Sequence, residues 1–563
     1  MLKSVALAMP TYTMSCFQLP SKLCKEISSL MANYWWGEAN GKNKIHWCAG
    51  KKLTRNKYMG GLGFKDLMAY NTALLGKQVW RMLTQPNLLV SQVMKAKYFP
   101  RSSIFKCKVP NNASWIWRSL MGAREFVEQG TRRKIGNGRK TNIWEDRWIP
   151  DTLDGRVTTP RNSDNALQQV HELICQKNWN RNLVFKHFNK KDAETILTIP
   201  VSLAGKEDAN FWIRGAGGHY SVSSGYKLLV MNKDIWQQRN QLEGSTSLEN
   251  QSQRLWKLKV KQKQKVFLWK CLSNALPVRD IIFRRIKVGD PICNRCGEDR
   301  ETIEHTLLNC SKVKQTWKLA PIQWEGMMEH QGCFRRWWIE ILDARTRAEG
   351  WQHIALSVHI LWQIWKDRNE EEFNGKESHP WKTIQKAHQE WLELGEIDRN
   401  GTSMSIDETE ALHQQNQQRN PEHGCLILRI GITRDMTKSC FGIGITLQEG
   451  NQGAKRGWTL RESSSGSGLL DEATALKLAM CKAATLQFRD VQFQVPNRQL
   501  LNQVRTAGVS DIRLATVVDD ILQLRDLFHK CSFCLVHNDN NQLSTKLSKY
   551  ALGIILDEEH WFP

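Results

Sequence analysis

The sequence contains no uninterrupted run of about 18 apolar residues, which a membrane-spanning helix requires. Acidic residues are also scarce, with 56 against 80 Lys and Arg, so the formal net charge is +24. The opening segment resembles a signal peptide only superficially, because Pro10 ends its apolar run and basic residues follow in place of a cleavage pattern. We therefore expect an intracellular protein, with the nucleus as a candidate compartment, that is not secreted and has no membrane partner.

The cysteines do not suggest a paired pattern. There are 15 in 563 residues, an odd number in a chain without an export signal. A disulfide framework is therefore not expected, and reduced thiols or metal ligands are the default. Only one group of them has the spacing of a ligand set.

Charge is distributed unevenly along the chain. Positions 1 to 150 contain 25 basic and 7 acidic residues, whereas positions 421 to 563 contain 16 basic and 15 acidic. Because Lys and Arg contacts to phosphate dominate non-specific nucleic-acid affinity, this asymmetry predicts a nucleic-acid partner bound by the first part. A basic composition that serves only solubility is the alternative. RNA, DNA and an RNA/DNA hybrid all stay open as the partner, and so does the oligomeric state.

The chain is too long for one compact core, and its pattern changes along its length. Residues 1 to about 100 alternate amphipathic helical stretches with Gly-rich segments, and further helices are predicted from Trp256 to about Arg285 and at about 334–372. Two Gly- and Trp-rich segments, KIGNGRKTNIWEDRWIP and FWIRGAGGHYSVSSGYKLL, predict short strands with turns. Positions 398–423 are polar and rich in Gln and Asn, which predicts a flexible connector. Beyond it, CLILRIGIT, FGIGITL and VQFQV predict strands, and the order β-β-(β)-α-β-α-β-α predicts a mixed sheet covered by helices.

One constellation has the spacing of metal ligands. CNRCGEDRETIEHTLLNC gives Cys-x2-Cys-x8-His-x4-Cys, formed by Cys293, Cys296, His305 and Cys310. Two close cysteines, a distant histidine and a final cysteine are the donors that a tetrahedral Zn²⁺ requires. We expect a short helix at His305 that turns His305 and Cys310 back toward the first two cysteines. Because four strong ligands leave no position for water, the zinc is expected to be structural. Unrelated core thiols and a surface histidine are the alternative.

Several longer segments carry a family resemblance. The segment from Trp256 to Trp317, which includes the four ligands, resembles the zinc-binding domain that follows the reverse transcriptase in plant non-LTR (LINE-type) retrotransposon polyproteins. The resemblance extends over nearly the whole chain, through PTYTMSCFQLP, WWGEANGKNKIHW, GGLGFKDLMAYNTALLGKQVWRML, KIGNG, IWEDRWIP, WIRGAGGHYSVSSGY and LWQIWKDRNEEEF.

The resemblance implies a fold class and a set of domains. The expected fold is multidomain α+β, with mainly helical N-terminal and zinc-binding regions and a C-terminal α/β RNase H-like fold with a mixed sheet. The expected domains are a basic Trp-rich region at 1–150, the zinc-binding domain at 200–325, a helical Trp-rich segment at 334–397, the connector at 398–423 and the RNase H-like domain at 424–551. The polymerase palm, with its paired metal-binding aspartates, is expected to lie before residue 1, so no polymerase activity is expected. The one Asp-Asp pair, Asp519 and Asp520, is expected in an amphipathic helix instead.

Active RNase H-like domains of this family hold two Mg²⁺ ions with four carboxylates. Carried over one position at a time, Thr433 stands at the first carboxylate, Glu472 matches the second, Asn497 stands at the third and Thr545 at the fourth. Hydroxyl and amide groups neither bind Mg²⁺ strongly nor balance its charge. The domain is therefore expected to be folded but catalytically inactive, and Mg²⁺ is a cofactor only if the site is active.

Three functions compete at this point, and enzyme activity stays open. The first is a retrotransposon-derived nucleic-acid-binding protein with a structural zinc knuckle and a degenerate RNase H-like domain. The second is an active RNA–DNA hybrid ribonuclease, in which the stray acids Asp435, Asp471 or Asp539 would have to restore metal binding. The third is a product without a cellular role. An affinity that falls steeply with added salt would separate the first from the third.

Overall fold

The computed structural model describes most of the chain, in two compact units. The described ranges are 5–39, 42–152, 154–161, 166–203, 205–238, 254–322, 332–343, 345, 350–402, 425–449, 454–506, 508–536, 541–554 and 556–562. The first unit comprises Met1–Pro10, Leu19–Met68 and Ile235–His413, and the second comprises Thr11–Gln18, Ala69–Asp234 and Gln414–Pro563. From position 403 onward, the predicted connector lies outside the described residues, and the domain boundaries stay predictions.

The first unit is helical around a tryptophan-rich core. Trp337 and Trp338 are fully buried in this core, together with Leu268, Leu307 and Leu361. Its described elements are the helices Ser21–Trp36, Gly50–Thr54, Gln262–Leu272, Arg279–Ile286, Ser311–Lys318, Phe334–Asp343, Gly350–Asn374 and Pro380–Thr402, a 3₁₀ turn at Lys57–Met59, a π-helical turn at His305–Asn309 and a strand pair formed by Glu38–Ala39 and Lys42–Asn43.

The helix Gly350–Asn374 has two parts of different character. Ile354, Val358, Leu361 and Trp365 recur at intervals of three or four residues and are buried in the tryptophan-rich core. The last two turns, with the sequence KDRNEEEF, are almost entirely charged. Burial of the apolar stripe fixes the helix on the core, and this leaves its charged end beside the cysteine-rich loop.

The second unit contains a mainly helical region and a large sheet. The helices of the first region are Thr11–Cys16, Leu67–Thr84, Leu89–Tyr98, Trp115–Gly122, Arg124–Gly130, Arg181–His187, Lys190–Leu197 and Val222–Gln238, with 3₁₀ turns at Val170–Leu173 and Ala216–Gly218 and a strand pair formed by Ile174–Cys175 and Asn178–Trp179. Thr131–Lys134 is antiparallel to Ala209–Trp212. Gly130 permits this pairing, since a Cβ there would lie 2.2 Å from the ring of Trp212. The strand pair predicted within KIGNGRKTNIWEDRWIP is not present in residues 134–150, all of which the structure describes.

A buried carboxylate organises the loop that follows Thr131–Lys134. Asp208 accepts the N–H groups of Gly136, Gly138 and Lys140 at 2.7, 2.9 and 2.9 Å, and the hydroxyl of Thr141 at 2.8 Å. Gly138 has a φ of +73°, where glycine is favoured. The glycines and the Lys-Thr pair of GNGRKT thus wrap around an acid of the chain itself, which occupies the place that an external anion would take.

The rest of the second unit is a six-stranded mixed sheet covered by helices. Its strands are β1 (Leu426–Asp435), β2 (Cys440–Glu449), β3 (Ala454–Ser463), β4 (Asp490–Val495), β5 (Lys530–Leu535) and β6 (Glu558–Trp561), in the spatial order β5-β4-β1-β2-β3-β6. β4 is parallel to both β1 and β5, and the other pairs are antiparallel. The helices are Gly468–Thr485, Arg498–Thr506, Ile512–Arg525 and Gln542–Ala551. The expected fold class is confirmed.

The last helix, Gln542–Ala551, lies directly on β1 and β2. Gly431, Gly442 and Gly444 face it, and a Cβ at Gly444 would lie 2.1 Å from the carbonyl oxygen of Ser544. Only glycine fits such a close approach. The glycines of these strands therefore bring the helix to the end of β1, where the nuclease site of the resemblance is expected.

Candidate metal centre and candidate nuclease site

The four predicted zinc ligands lie together. The ligand atoms of Cys293, Cys296, His305 and Cys310 are all within 4.8 Å of one another, a grouping found nowhere else in the part of the chain that the structure describes. Cys296 is half-buried and the other three are buried. Three thiols and one imidazole suit Zn²⁺, whereas Mg²⁺ and Ca²⁺ prefer oxygen donors.

A tight turn holds the first two ligands. The N–H of Gly297 donates to the carbonyl of Cys293 at 2.8 Å, and the N–H of Cys293 donates to the carbonyl of Asp299 at 2.9 Å. Gly297 has a φ of +70°, a conformation that other residues adopt only with strain. The glycine that follows Cys296 therefore allows both cysteines to face the same cluster.

A π-helical turn holds the other two ligands. The N–H of Cys310 donates to the carbonyl of His305 at 2.9 Å, which closes a turn across five residues. In an ordinary α-helix, residues five apart point about 140° away from each other, so a wider turn is needed to bring them to one side. Single π turns are frequent at functional sites. The sequence predicted a short helix at His305. The four residues between His305 and Cys310 are the signal that this helix takes the wider π form.

Neighbouring groups orient the ring of His305. Its Nε2 lies 3.3 Å from the sulfur of Cys296, and its Nδ1 lies 3.8 Å from a carboxylate oxygen of Asp299. A hydrogen bond with Cys293 raises the pKa of His305. The hydrogen bond between Cys310 and Cys293 lowers the pKa of Cys293 and raises the pKa of Cys310. Binding of Zn²⁺ would require these thiols to lose their protons.

Ion pairs join the cluster to the charged end of helix Gly350–Asn374. The three pairs are Arg279–Glu372 at 2.7 Å, Arg295–Glu371 at 2.8 Å and Arg368–Glu301 at 2.6 Å. Arg295 lies between the two close cysteines, so the knuckle itself is held by this helix. We missed these residues in the sequence, although the run KDRNEEEF beyond an apolar stripe was a usable signal.

At the candidate nuclease site, Thr433 lies near the end of β1 as predicted. Its hydroxyl is 2.7 Å from the hydroxyl of Ser548 on the last helix. Thr545, on the same helix, donates to the carbonyl of Asn541 at 2.8 Å. The side chain of Asn497 accepts the N–H of Gln499 at 2.8 Å and caps the helix Arg498–Thr506. The hydroxyl and amide groups at these three positions are thus engaged within the protein.

A cation of the protein faces the retained carboxylate. The guanidinium of Arg434, which follows Thr433 in the chain, lies 3.0 Å from one oxygen of Glu472 and 3.3 Å from Asp471. The other oxygen of Glu472 is buried and has no hydrogen-bond partner among the described residues. The sequence prediction did not include Arg434, although Arg434 directly follows Thr433, which stands at the first carboxylate position.

The stray acids have structural partners where they are described. Asp471 is buried and accepts hydrogen bonds from Ser464 and from the backbone and side chain of Ser465. Asp435 accepts the N–H and hydroxyl of Thr437 in the turn after β1, and this hydrogen bonding lowers the pKa of Asp435. Asp539 lies outside the described residues.

The Asp519–Asp520 pair lies in the helix Ile512–Arg525. Asp519 forms an ion pair with Lys134. Asp520 is buried and accepts the hydroxyl of Ser202 at 2.8 Å and the N–H of Leu203 at 3.1 Å. Both acids therefore tie this helix to the earlier part of the second unit.

Comparisons with known proteins agree with these features. The family model described as zinc-binding in reverse transcriptase matches residues 220–317, and the model described as reverse transcriptase-like matches residues 437–551. An uncharacterized mitochondrial protein of Arabidopsis thaliana is 45% identical over 146 residues, which are 26% of this chain and 95% of that protein. A putative ribonuclease H protein of Arabidopsis thaliana is 25% identical over 381 residues, which are 65% of this chain and 58% of that protein. The chain thus spans less than two thirds of the second relative.

Solved ribonuclease H structures match part of the chain. The RNase H1 of Halobacterium salinarum is 19% identical, with 23% of this chain and 98% of that chain covered and a TM-score of 0.22. LC11-RNase H1 in complex with an RNA/DNA hybrid is 13% identical, with 23% of this chain and 96% of that chain covered and a TM-score of 0.21. No helix among the described residues is long and apolar enough to cross a membrane.

A Cys/His cluster inside a region matched to the zinc-binding domain of reverse transcriptases, in one chain with an RNase H-like domain, defines a retrotransposon-type protein. The matched region and the donor set together indicate zinc binding. The chain belongs to the plant retrotransposon-type reverse transcriptase family, which confirms the resemblance of its motifs.

Proposed function

We propose that this protein binds nucleic acid without cleaving it. The observation that carries the proposal is the ion pair between Arg434 and Glu472, because the one retained carboxylate already faces a cation of the protein. The other three positions hold Thr433, Asn497 and Thr545. Two Mg²⁺ ions would find neither the negative charge nor the carboxylate ligands that two-metal hydrolysis needs.

The excess of basic residues supports the binding part of the proposal. The net charge is +24, and positions 1 to 150 carry most of the excess. Such an excess attracts a polyanion and makes the affinity depend on salt, because each phosphate contact releases counter-ions. RNA, DNA and an RNA/DNA hybrid share the chemistry that would be recognised.

The zinc centre has a structural role in this proposal. Cys293, Cys296, His305 and Cys310 would hold the ion, and a bound Zn²⁺ would join two turns that are far apart in the sequence. All four coordination positions would be filled by the protein, so no water would be available for activation. The ion would therefore contribute to folding rather than to catalysis.

The test is a cleavage assay on a labelled RNA/DNA hybrid with Mg²⁺ or Mn²⁺, with an active ribonuclease H as the positive control. We expect no turnover above a protein-free sample, either from the wild type or from Glu472→Gln. Binding of the uncut hybrid, measured by fluorescence anisotropy in parallel samples without added divalent metal, is expected to persist. Turnover by the wild type that Glu472→Gln abolishes would refute the proposal.

An active hybrid ribonuclease is the second candidate, and one observation favours it. The buried oxygen of Glu472 without a described partner is a free ligand atom for a cation. One relative is also named a putative ribonuclease H protein. The same assay separates the two candidates, since only the second predicts turnover that depends on both Mg²⁺ and Glu472.

We propose that the protein is intracellular and located in the nucleus, because nucleic acid is available there as a ligand. One relative is named a mitochondrial protein, which makes that organelle the alternative. Imaging of a tagged full-length chain in plant cells, with nuclear and mitochondrial markers, distinguishes the two.

A further inference from the structure

Four cations of the first unit converge on one place. Burial raises the pKa of the Cys48 thiol, and the nearby positive charges of Lys52, Arg285 and Lys270 oppose that rise. Burial lowers the pKa of Lys52, and the nearby charge of Arg335 lowers it further. We call Lys52, Lys270, Arg285 and Arg335 the cationic cluster. Its members come from four separate segments of the chain, so folding rather than local sequence brings them together.

Carbonyl groups at the end of one helix hold two members of the cluster. The ammonium of Lys52 donates to the carbonyl of Ser273 at 3.3 Å, and the guanidinium of Arg335 donates to the carbonyl of Leu272 at 3.1 Å. Both carbonyls lie at the C-terminal end of the helix Gln262–Leu272, where the helix dipole is negative. These contacts satisfy donors but do not neutralise two full positive charges.

Carbonyls and aromatic rings hold the other two members. Arg285 donates to the carbonyls of His46 and Trp47, and its guanidinium lies 5.9 Å from the centre of the Trp47 ring. The ammonium of Lys270 lies 5.7 Å from the centre of the Trp36 ring. Aromatic faces attract cations but carry no net charge.

No carboxylate among the described residues compensates the cluster. None of its four members forms an ion pair with a described acid. Glu304 lies near Cys271, but its carboxylate accepts the N–H of Phe334 at 3.1 Å and forms no ion pair with a member of the cluster. Burial lowers the pKa of both Lys52 and Lys270, so their surroundings already disfavour the charged forms. Lys52 and Lys270 are half-buried, whereas Arg285 and Arg335 are exposed. Half-buried charges are usually paired or bound to a ligand, and Lys52 and Lys270 lack an acidic partner among the described residues.

We propose that the cationic cluster binds the phosphate backbone of single-stranded nucleic acid, with Trp47 beside it as a stacking surface for an unpaired base. This inference rests on the proposed function and names the surface that performs it. Basic side chains next to an accessible aromatic ring are the usual combination for single strands. Trp47 is half-buried, so part of its ring is open to solvent. An acidic protein segment would match the charge of the cluster but not the aromatic ring.

The test compares two double variants of the full-length, zinc-loaded chain. Arg285→Gln/Arg335→Gln removes the two exposed members of the cluster, and Lys382→Gln/Lys386→Gln removes the same charge from an exposed face of the helix Pro380–Thr402. Binding of a fluorescein-labelled oligothymidylate is measured by anisotropy over a range of salt concentrations. With a slope of about −0.7 per phosphate contact, losing two contacts should weaken binding about 25-fold at about 0.1 M salt and flatten the slope by about 1.4.

The control variant is expected to match the wild type within about twofold, because Lys382 and Lys386 lie on a different helix, outside the proposed binding surface, and only phosphate contacts at that surface set the affinity. If the cluster and control variants lose affinity equally, the cationic cluster is not the binding surface, although the protein still binds nucleic acid. No salt-dependent binding by the wild type would overturn the proposed function and the surface together. Tighter binding of polyglutamate than of the oligonucleotide would assign the cluster to an acidic protein and overturn the proposal. If the double variant does not fold, the single variants decide the matter, each with an expected slope change of about 0.7.

Discussion

Arg368 holds Glu301 through two parallel hydrogen bonds in the interior of the first unit. Its Nε and Nη2 donate to the two carboxylate oxygens at 2.7 and 2.6 Å, and the two side chains are 3% and 2% exposed. The same carboxylate accepts the N–H of Arg279 at 2.8 Å, at the start of the helix Arg279–Ile286. One buried acid thus joins the loop of the zinc cluster to two helices.

We expect Arg368→Met to destabilise the first unit by about 3–5 kcal/mol, because it leaves the charge of Glu301 buried without a counter-ion. Denaturant unfolding at constant zinc, followed by tryptophan fluorescence, measures the loss. The double variant Glu301→Leu/Arg368→Met removes both charges and is expected to recover most of the stability. A double variant as unstable as the single one would show that lost packing, rather than an unpaired charge, is responsible.

Substitution of one zinc ligand should remove the metal. We expect about one zinc per wild-type chain and almost none in Cys296→Ser, because the remaining three ligands leave the tetrahedral shell incomplete. Elemental analysis after dialysis against a weak chelator measures the zinc content. Cys333→Ser is the control, since Cys333 is exposed and lies outside the cluster. A well-folded wild-type protein without metal would contradict the prediction.

Removal of the Asp208 carboxylate should unfold the GNGRKT loop. Asp208→Ala leaves three N–H groups and a hydroxyl without their acceptor, and each buried unsatisfied group costs about 1–3 kcal/mol. We expect a loss of at least about 3 kcal/mol in the second unit and faster amide hydrogen exchange at positions 136 to 141. The neighbouring variant Glu207→Ala breaks only an exposed ion pair with Lys140 and should change stability by less than about 1 kcal/mol.

Burial of His359 should make the first unit sensitive to acid. Its Nδ1 lies 3.0 Å from the amide nitrogen of Gln264 and 3.7 Å from Glu390, and burial lowers the pKa of His359 from 6.5 to about 4 despite that acid. Lys261 and Lys263 add to the lowering through their charge. Because the unfolded chain binds the proton more readily, stability is complete above about pH 6.5 and falls as the pH drops toward 4.

The expected loss from this histidine is about 2 kcal/mol between about pH 7 and 5. Zinc release also destabilises the unit in acid, so the measurement is the difference between wild type and His359→Gln at each pH. Since Gln does not titrate, the variant should lose less stability than the wild type over this range. Parallel pH curves for the two proteins would exclude His359 as a source of the acid sensitivity.

The zinc ligands could be predicted because their signal is local. Cys293 and Cys310 lie within a short segment, and the spacing of the donors carries the chemistry without knowledge of the fold. The alternation of strands and helices after residue 424 was likewise a local pattern. The short strand β6 was missed, because Glu558–Trp561 has no apolar alternation of its own and depends on pairing with β3.

Contacts between distant segments could not be predicted in the same way. A strand pair was expected within positions 134–150, but the strand that ends at Lys134 pairs with Ala209–Trp212, which comes much later in the chain. Arg368 and Glu301 are 67 positions apart. Arg434 was adjacent to a predicted position, yet its role follows only from the packing of helix Gly468–Thr485 beside β1. Such pairings depend on which surfaces meet when the chain folds, and no periodic pattern in a single sequence indicates them.

The charged end of helix Gly350–Asn374 limits how the zinc-binding region can be divided into smaller polypeptides. The matched family region ends at residue 317, whereas the counter-charges of Arg279, Arg295 and Glu301 lie between positions 368 and 372. A polypeptide that ended at 317 would keep every zinc ligand and lose all three ion pairs. We therefore expect a zinc-binding fragment that folds by itself to extend to the end of that helix, although the four ligands alone lie within a much shorter segment.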